Sequence, residues 1–283
     1  MTIFLVTGVT GNLGGAALHS LLVSIPASDV RVLVRTERAA AQFEARGLTA
    51  CIAHYSDSAS LDAALTGVDR VIFVSSPVLD PSVRAVQHRA VVDSAVTAGV
   101  RHMVYTSGMG ARHDPGHSAA EDALADSGIH HAILRNGLYT DAFADRAIAQ
   151  ASASGVITSA SDGQGLATAA ISDLGEAAAT AALTMPTRSL WELRGPRWTF
   201  DDMAAGLTVA LERPVTHREV SDAETGPFAV LFPPIRHGAF DSESPDLAEL
   251  LGRAPATILD VVTRLVKRVE SDRGGEEESG RAR

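Results

Sequence analysis

Short, nearly continuous apolar runs alternate with longer stretches of helical spacing from Ile3 to Leu134. Ile3–Val6, Val30–Val34, Leu48–Ala53, Val71–Val74, His102–Tyr105 and Ala132–Leu134 predict six strands. These runs are apolar at successive rather than alternate positions, the pattern of strands covered on both faces. Leu13–Ser24, a stretch near Ala39–Arg46, Ser60–Leu65, Ser82–Ala98 and Ser118–Asp126 predict the intervening helices. Their ends carry the expected punctuation: Asp57 or Ser58 as a cap, Pro81 before and Gly99 after the fourth helix, Gly128 after the fifth. Strands and helices alternating in this way predict an α/β fold, a doubly wound parallel sheet of Rossmann-like type.

Past residue 150 the pattern shifts to helices: Ser172–Leu183, Phe200–Leu211 with Thr199 and Asp202 as a capping pair, and Ile258–Val269. Short strands are expected at Trp191–Leu193 and Val215–Val220, and Pro227, Pro233, Pro234 and Pro245 mark loops. The expected organisation is a nucleotide-binding domain over 1–150 and a smaller α+β substrate lobe over 151–270 that closes over the strand ends. A tail over 271–283, rich in Gly, Glu and Arg, is expected to be disordered.

Composition narrows the partners. The 283 residues are 46% hydrophobic, enough for a full core, and carry a formal net charge of −10, which disfavours nucleic acid. Cys51 is the single cysteine, so neither an intrachain disulfide nor a thiolate metal cluster can form. The chain enters a strand at once, without a basic leader, and no apolar run approaches the ~20 residues that span a bilayer. These features predict a cytoplasmic protein without a membrane partner. Lys267 is the only lysine among 24 basic residues, and arginine does not exchange protons near neutral pH, so an active-site lysine would have to be Lys267.

Candidate chemistry begins where the first strand stops. Gly8, Gly11 and Gly14 follow it at three-residue spacing and lead into a helix. A strand, a glycine turn and a helix start aim backbone N–H groups and the positive helix end at one point, a diphosphate site. The ends of the other strands supply Arg35, then Ser75-Ser76-Pro77, Thr106-Ser107 and Arg135-Asn136-Gly137. An acid after the second strand would bind the adenosine 2′-hydroxyl. Arg35 stands there instead and suits a 2′-phosphate, so NADP(H) is the expected cofactor, with Glu37 as the residue against it.

With these residues placed, the chain resembles the NmrA-like atypical short-chain dehydrogenase/reductases, and within them the type 2 NAD(P)H:quinone oxidoreductases. The resemblance rests on Val6-Thr7-Gly8-Val9-Thr10-Gly11-Asn12-Leu13-Gly14, Val34-Arg35, Gln87-His88-Arg89, Tyr105-Thr106-Ser107, Ile133-Leu134-Arg135-Asn136-Gly137-Leu138-Tyr139 and Ser172-Asp173-Leu174, in order. It implies nucleotide contacts at Gly8, Thr10, Gly11, Asn12, Leu13, Gly14, Arg35, Ser75, Ser76, Thr106, Ser107 and Asn136. It also implies hydride transfer to a small quinone-like acceptor, with Tyr139 in the pocket, and leaves room for a homodimer. Two positions depart from many relatives. His54 stands where an aspartate reaches toward adenine, leaving His54, Tyr55 or stacking for that task. His117 stands where a lysine lies near the nicotinamide, as in the quinone reductase branch.

The chain has no Tyr-x-x-x-Lys pair, which disfavours alcohol–ketone interconversion. A quinone accepts hydride more readily and needs less acid assistance. Tyr139 and His117 are therefore the candidate catalytic residues. An NmrA-type sensor that binds NADP(H) without turnover is the alternative. His113 and His117 around Asp114 lie on a Pro-Gly loop rather than a helix face, so no metal is expected. Ser107, His117 and Asp122 lack the Gly-x-Ser-x-Gly elbow of a hydrolase.

Overall fold

A computed structural model describes residues 1–281, with side chains to Ser271. The chain divides into two units. In chain order the elements are β1 (Phe4–Val6), α1 (Asn12–Ser24), β2 (Val30–Val34), α2 (Glu37–Glu44), β3 (Thr49–Ile52), α3 (Ser58–Leu65), β4 (Arg70–Val74), α4 (Pro81–Thr97), β5 (His102–Gly108), α5 (Pro115–Asp126) and β6 (His130–Asn136). There follow α6 (Thr140–Ser154), β7 (Val156–Ser159), β8 (Leu166–Ala167), α7 (Ile171–Thr184), β9 (Leu190–Leu193), β10 (Arg197–Trp198) and α8 (Phe200–Ala210). The last are β11 (Thr216–Glu219), α9 (Phe232–Arg236), α10 (Asp246–Leu251) and α11 (Ile258–Arg281).

The first unit comprises Met1–Asn136, Ile171–Leu193 and Asp246–Arg253. Its seven strands form one parallel sheet in the order β3-β2-β1-β4-β5-β6-β9, the doubly wound Rossmann-like arrangement. The strand order reverses between β1, which pairs with β2, and β4 on its other side. Fully buried Leu5, Phe73, Met103 and Tyr105 fill one face of the sheet against Leu61, Leu65, Val91 and Leu124. Each such side chain contributes roughly 1.5–3 kcal/mol by leaving water.

Two expectations are corrected here. The first unit does not end at residue 150: it stops at Asn136 and takes back Ile171–Leu193 and Asp246–Arg253. The reason is β9. The run containing Trp191 and Leu193, assigned from sequence to the smaller lobe, is the seventh strand of the main sheet, with Leu190 opposite Ile133 and Leu193 opposite Asn136. Asp246, which opens α10, accepts the N–H of Glu192 at 2.8 Å and ties that segment to the same edge.

The second unit comprises Gly137–Ala170, Arg194–Pro245 and Ala254–Arg283. Its core is Phe143, Ile148, Trp198, Phe200, Met203, Phe232 and Leu265, flanked by a parallel β7–β11 pair and an antiparallel β8–β10 pair. Thr199 and Asp202 form the expected capping box on α8. The prolines are not all loop markers: Pro227 lies in a 3₁₀ segment (Asp222–Leu231), and Pro233 and Pro234 open α9. A first turn tolerates proline because its N–H groups have no helical acceptor. The tail expected over 271–283 lies, apart from the backbone of α11 up to Arg281, outside the described residues.

Candidate functional site

In this fold a ligand sits outside the carboxyl ends of the strands, at the point where their order reverses. That point is the end of β1. Gly8 turns the chain there with φ +64°, a left-handed conformation that suits glycine, and a Cβ would meet Val74 of β4 at 3.0 Å. Gly14 packs the first turn of α1 onto this turn so closely that a Cβ would stand 2.3 Å from the Gly8 carbonyl oxygen. The neighbouring helix starts are closed by side chains: Thr36 caps α2, Asp57 caps α3, Asp80 caps α4 and Asp114 caps α5. Gly11 at the start of α1 offers no such cap, and no acid lies in the first turn. The N–H groups of Asn12, Leu13 and Gly14 are left for an anion, with Thr10, Gly11 and Asn12 exposed around them.

The other predicted contacts line the same edge of the first unit. Arg35 is exposed directly after β2 and makes no hydrogen bond or ion pair among the described residues. Ser75 donates its N–H to the Thr106 hydroxyl at 3.1 Å, which joins the ends of β4 and β5. Ser76 donates its N–H to His88 Nε2 at 2.8 Å and its hydroxyl to Gln87 Oε1 at 2.6 Å. Ser107 donates to Glu121 Oε1 at 2.7 Å. Asn136 is buried, and its Oδ1 has no partner among the described residues, an acceptor available to a ligand amide. Tyr55 braces the edge: its hydroxyl lies 2.5 Å from Thr7 Oγ1 and donates to the Val74 carbonyl at 2.9 Å. Burial pushes that hydroxyl well above the ordinary tyrosine range. His54 is exposed beside it.

His117 lies in the first turn of α5, half-buried, with Nδ1 2.8 Å from the Tyr105 hydroxyl. Its Nε2 stands 3.3 Å from where a Gly108 Cβ would be, and Gly108 pairs with Asn136 across β5 and β6. Burial holds the ring below its ordinary pKa; Asp114 and Glu121 pull the other way and Arg84 reinforces burial. Asp114 is occupied with Arg84 and with the N–H groups of Gly116 and His117, and His113 is exposed. Glu121, one turn further along α5, takes a bidentate pair from Arg135 at 3.0 and 2.6 Å. Asp122 is exposed.

His88 carries a pH consequence. It is fully buried, and burial lowers its pKa to about 4 from 6.5. Between those values the unfolded chain binds a proton that the folded one refuses, so folding stability falls as pH drops. The slope from this group is up to about 1.4 kcal/mol per pH unit. Urea unfolding of wild type and His88→Gln at pH values across the window should show the slope reduced in the variant, and an unchanged slope would exclude His88 as its source.

Tyr139 belongs to the second unit, where it precedes α6 in extended conformation and bridges to Ala169. The same unit holds an arrangement that the sequence did not reveal. Ser159 Oγ is 2.8 Å from His217 Nε2, whose Nδ1 is 2.8 Å from Asp201. Ser159 is fully buried and also bonds Ser161 and Glu219, so this triad-like set is a structural network rather than an accessible nucleophile.

A sequence profile described as NAD(P)H-binding matches residues 8–171. The chain is 33% identical to quinone oxidoreductase 2 of Escherichia coli (strain K12) over 285 residues, 92% of this chain and 97% of that one. The chain belongs to the NAD(P)H-binding, NmrA-like oxidoreductase family. Among solved structures, a Citrobacter sp. triphenylmethane reductase complexed with NADP(H) superposes with a TM-score of 0.83 at 29% identity, covering 93% of this chain and 99% of that one. An NADPH-dependent quinone oxidoreductase from Escherichia coli complexed with NADPH gives 0.79 at 31% identity, covering 93% and 99%.

The geometry fits the family's nucleotide. The uncapped α1 start and a Gly8–Gly14 contact too close for a Cβ at Gly14 make a diphosphate cradle, and Asn136 Oδ1 is a buried acceptor without a partner among the described residues. The chain is thus an NAD(P)H-dependent oxidoreductase. No helix among the described residues is long and apolar enough to cross a membrane. Sequence reasoning missed Glu121 and Arg135 as a pair, and the chain from His88 through the Tyr105 hydroxyl to His117. The four-residue spacing of His117 and Glu121 on one helix face was the available signal.

Proposed function

We propose that the chain reduces a quinone-like small molecule with NADPH. The observation that carries the reading is the end of β5: an imidazole, His117, stands over Gly108 at the position where many relatives place a lysine, and the chain has no Tyr-x-x-x-Lys pair for alcohol chemistry. Bound NADPH supplies the hydride. Asn12, Leu13 and Gly14 would hold its diphosphate through backbone N–H groups, Arg35 would pair with the 2′-phosphate, and Asn136 Oδ1 would accept from the carboxamide. Thr10, Ser75, Ser76, Thr106 and Ser107 line the same strand ends. His117 offers Nε2 as a hydrogen-bond donor that would stabilise negative charge on an acceptor oxygen. Tyr139 enters as an acceptor contact through the family resemblance.

Anaerobic mixing of NADPH with a panel of small quinones, followed by nicotinamide absorbance, tests this. Oxidation of NADPH with equimolar quinone consumption is the expected result. Tight NADPH binding with no oxidation by any acceptor would replace it with the sensor reading. The cofactor assignment has its own test. Arg35→Glu should weaken NADPH at least ten-fold more than NADH, a difference of ~1.4 kcal/mol or greater. Equal losses for the two nucleotides would remove Arg35 from the 2′-phosphate.

A further inference from the structure

We propose that Tyr105 and His88 are positioning residues that hold His117 as the neutral ring with its hydrogen on Nε2. That N–H is then a fixed donor at the carboxyl end of β5. Its use toward an acceptor oxygen rests on the function proposed above; the hydrogen placement does not.

Hydrogen positions follow from the partners, because each imidazole nitrogen in a neutral ring is either a donor or an acceptor. The Ser76 N–H points at His88 Nε2, 2.8 Å away, so that nitrogen must accept. The Gly116 carbonyl lies 2.9 Å from His88 Nδ1, and a carbonyl only accepts, so Nδ1 carries the hydrogen. Both contacts give the same tautomer of a ring that is fully buried. The Tyr105 hydroxyl sits 3.1 Å from this Nδ1 and therefore cannot donate to it. Its other ring neighbour is His117 Nδ1 at 2.8 Å, which receives the hydroxyl hydrogen. With Nδ1 accepting, the neutral His117 ring carries its hydrogen on Nε2, the nitrogen over Gly108.

The groups facing His117 are consistent with a neutral ring near neutral pH. Tyr105 on β5 is buried with its hydroxyl pushed far above the ordinary range by burial and then by Glu121, so it remains a donor. Arg84 and His88 face the ring from α4, and Asp114 and Glu121 from α5 and its cap. Both carboxylates are engaged with arginines, Asp114 with Arg84 and Glu121 with Arg135. A neutral imidazole donor stabilises a forming oxyanion without having to surrender its proton.

The full-length protein labelled with ¹⁵N-histidine reports the ring nitrogens directly. Wild type near neutral pH is expected to show His117 with a protonated Nε2 and a bare, hydrogen-bonded Nδ1. Tyr105→Phe keeps the ring and leaves the His88–Gly116 bond in place. It should lower the Nε2–H to Nδ1–H ratio of His117 by about five-fold, the weight of one hydrogen bond. A wild-type ring protonated on Nδ1, or a ratio untouched by Tyr105→Phe, would overturn the proposal. Should Tyr105→Phe fail to fold, the wild-type spectrum alone decides. The kinetic arm separates the two readings. If quinones are reduced, Tyr105→Phe should lower kcat several-fold with NADPH affinity unchanged, and an unchanged kcat beside a shifted tautomer would remove the positioning role. If no quinone is reduced while the spectra come out as expected, the acceptor reading fails and the hydrogen placement stands.

Discussion

Replacing Gly14 with alanine is expected to abolish measurable NAD(P)H binding and to cost the fold about 3 kcal/mol or more, the upper end for overpacking. The added Cβ would lie 2.3 Å from Gly8 O, 2.4 Å from Gly8 C and 2.8 Å from Thr7 O. All three are backbone atoms, so no side chain can swing away to make room. Either α1 retreats from β1 or the glycine turn opens, and both re-aim the N–H groups of Asn12, Leu13 and Gly14. Gly11→Ala is the control, since its Cβ would meet only Gly8 O at 3.4 Å, an ordinary contact. It should leave stability within ~1 kcal/mol of wild type, as surface substitutions do, while crowding the exposed turn that faces the diphosphate. Calorimetric titration with NADPH and urea unfolding of the two variants measure these effects. A Gly14→Ala protein with wild-type affinity and stability would show that the cradle is not where the nucleotide binds.

This cradle was legible in the chain because its determinants are local. A strand, three glycines and a helix start lie within residues 4–24, and their spacing fixes their geometry. The first six strands were legible for a similar reason: buried strands read as apolar runs, and β2 was read to its exact ends. The helix α6 was not, although Phe143, Ala144, Ala147, Ile148 and Ala151 form a buried stripe at helical spacing. Three of those five are alanines, which give a weak hydrophobic signal. The membership of β9 was hidden for a different reason. Its apolar run was visible, but pairing with β6 closes a loop of more than fifty residues, and nothing local records it. The same limit applies to the site. Arg35 and Asn136 could be placed from strand ends, whereas His88, Tyr105 and His117 meet only because α4, β5 and α5 pack together.

Removal of the Arg135 guanidinium is the second large effect. Arg135 and Glu121 have side chains only 11% and 12% exposed, and their two parallel bonds are the strongest geometry available to such a pair. Burial alone would raise the Glu121 carboxyl; the bonds from Arg135 and Ser107 outweigh it and hold the group below its ordinary value. That stabilisation is present above the ordinary carboxylate range and is lost as pH falls through the lower, folded value. Arg135→Met leaves the desolvated Glu121 carboxylate with one hydroxyl partner, also takes the 3.2 Å Arg135 bond from the more exposed Glu192, and should cost about 3–5 kcal/mol at neutral pH. It should also loosen the β6 end that carries Asn136, so NADPH affinity falls with stability. Adding Glu121→Gln removes the charge and keeps an acceptor for Ser107, so the double variant should be more stable than Arg135→Met alone. The single variant's deficit should also shrink in mild acid, because with the guanidinium gone burial raises the carboxyl and protonation relieves it. Unfolding free energies of the four proteins in a double-mutant cycle, at neutral and mildly acidic pH, measure both. A double variant no more stable than Arg135→Met at neutral pH would show that the lost stability did not come from a stranded Glu121 charge.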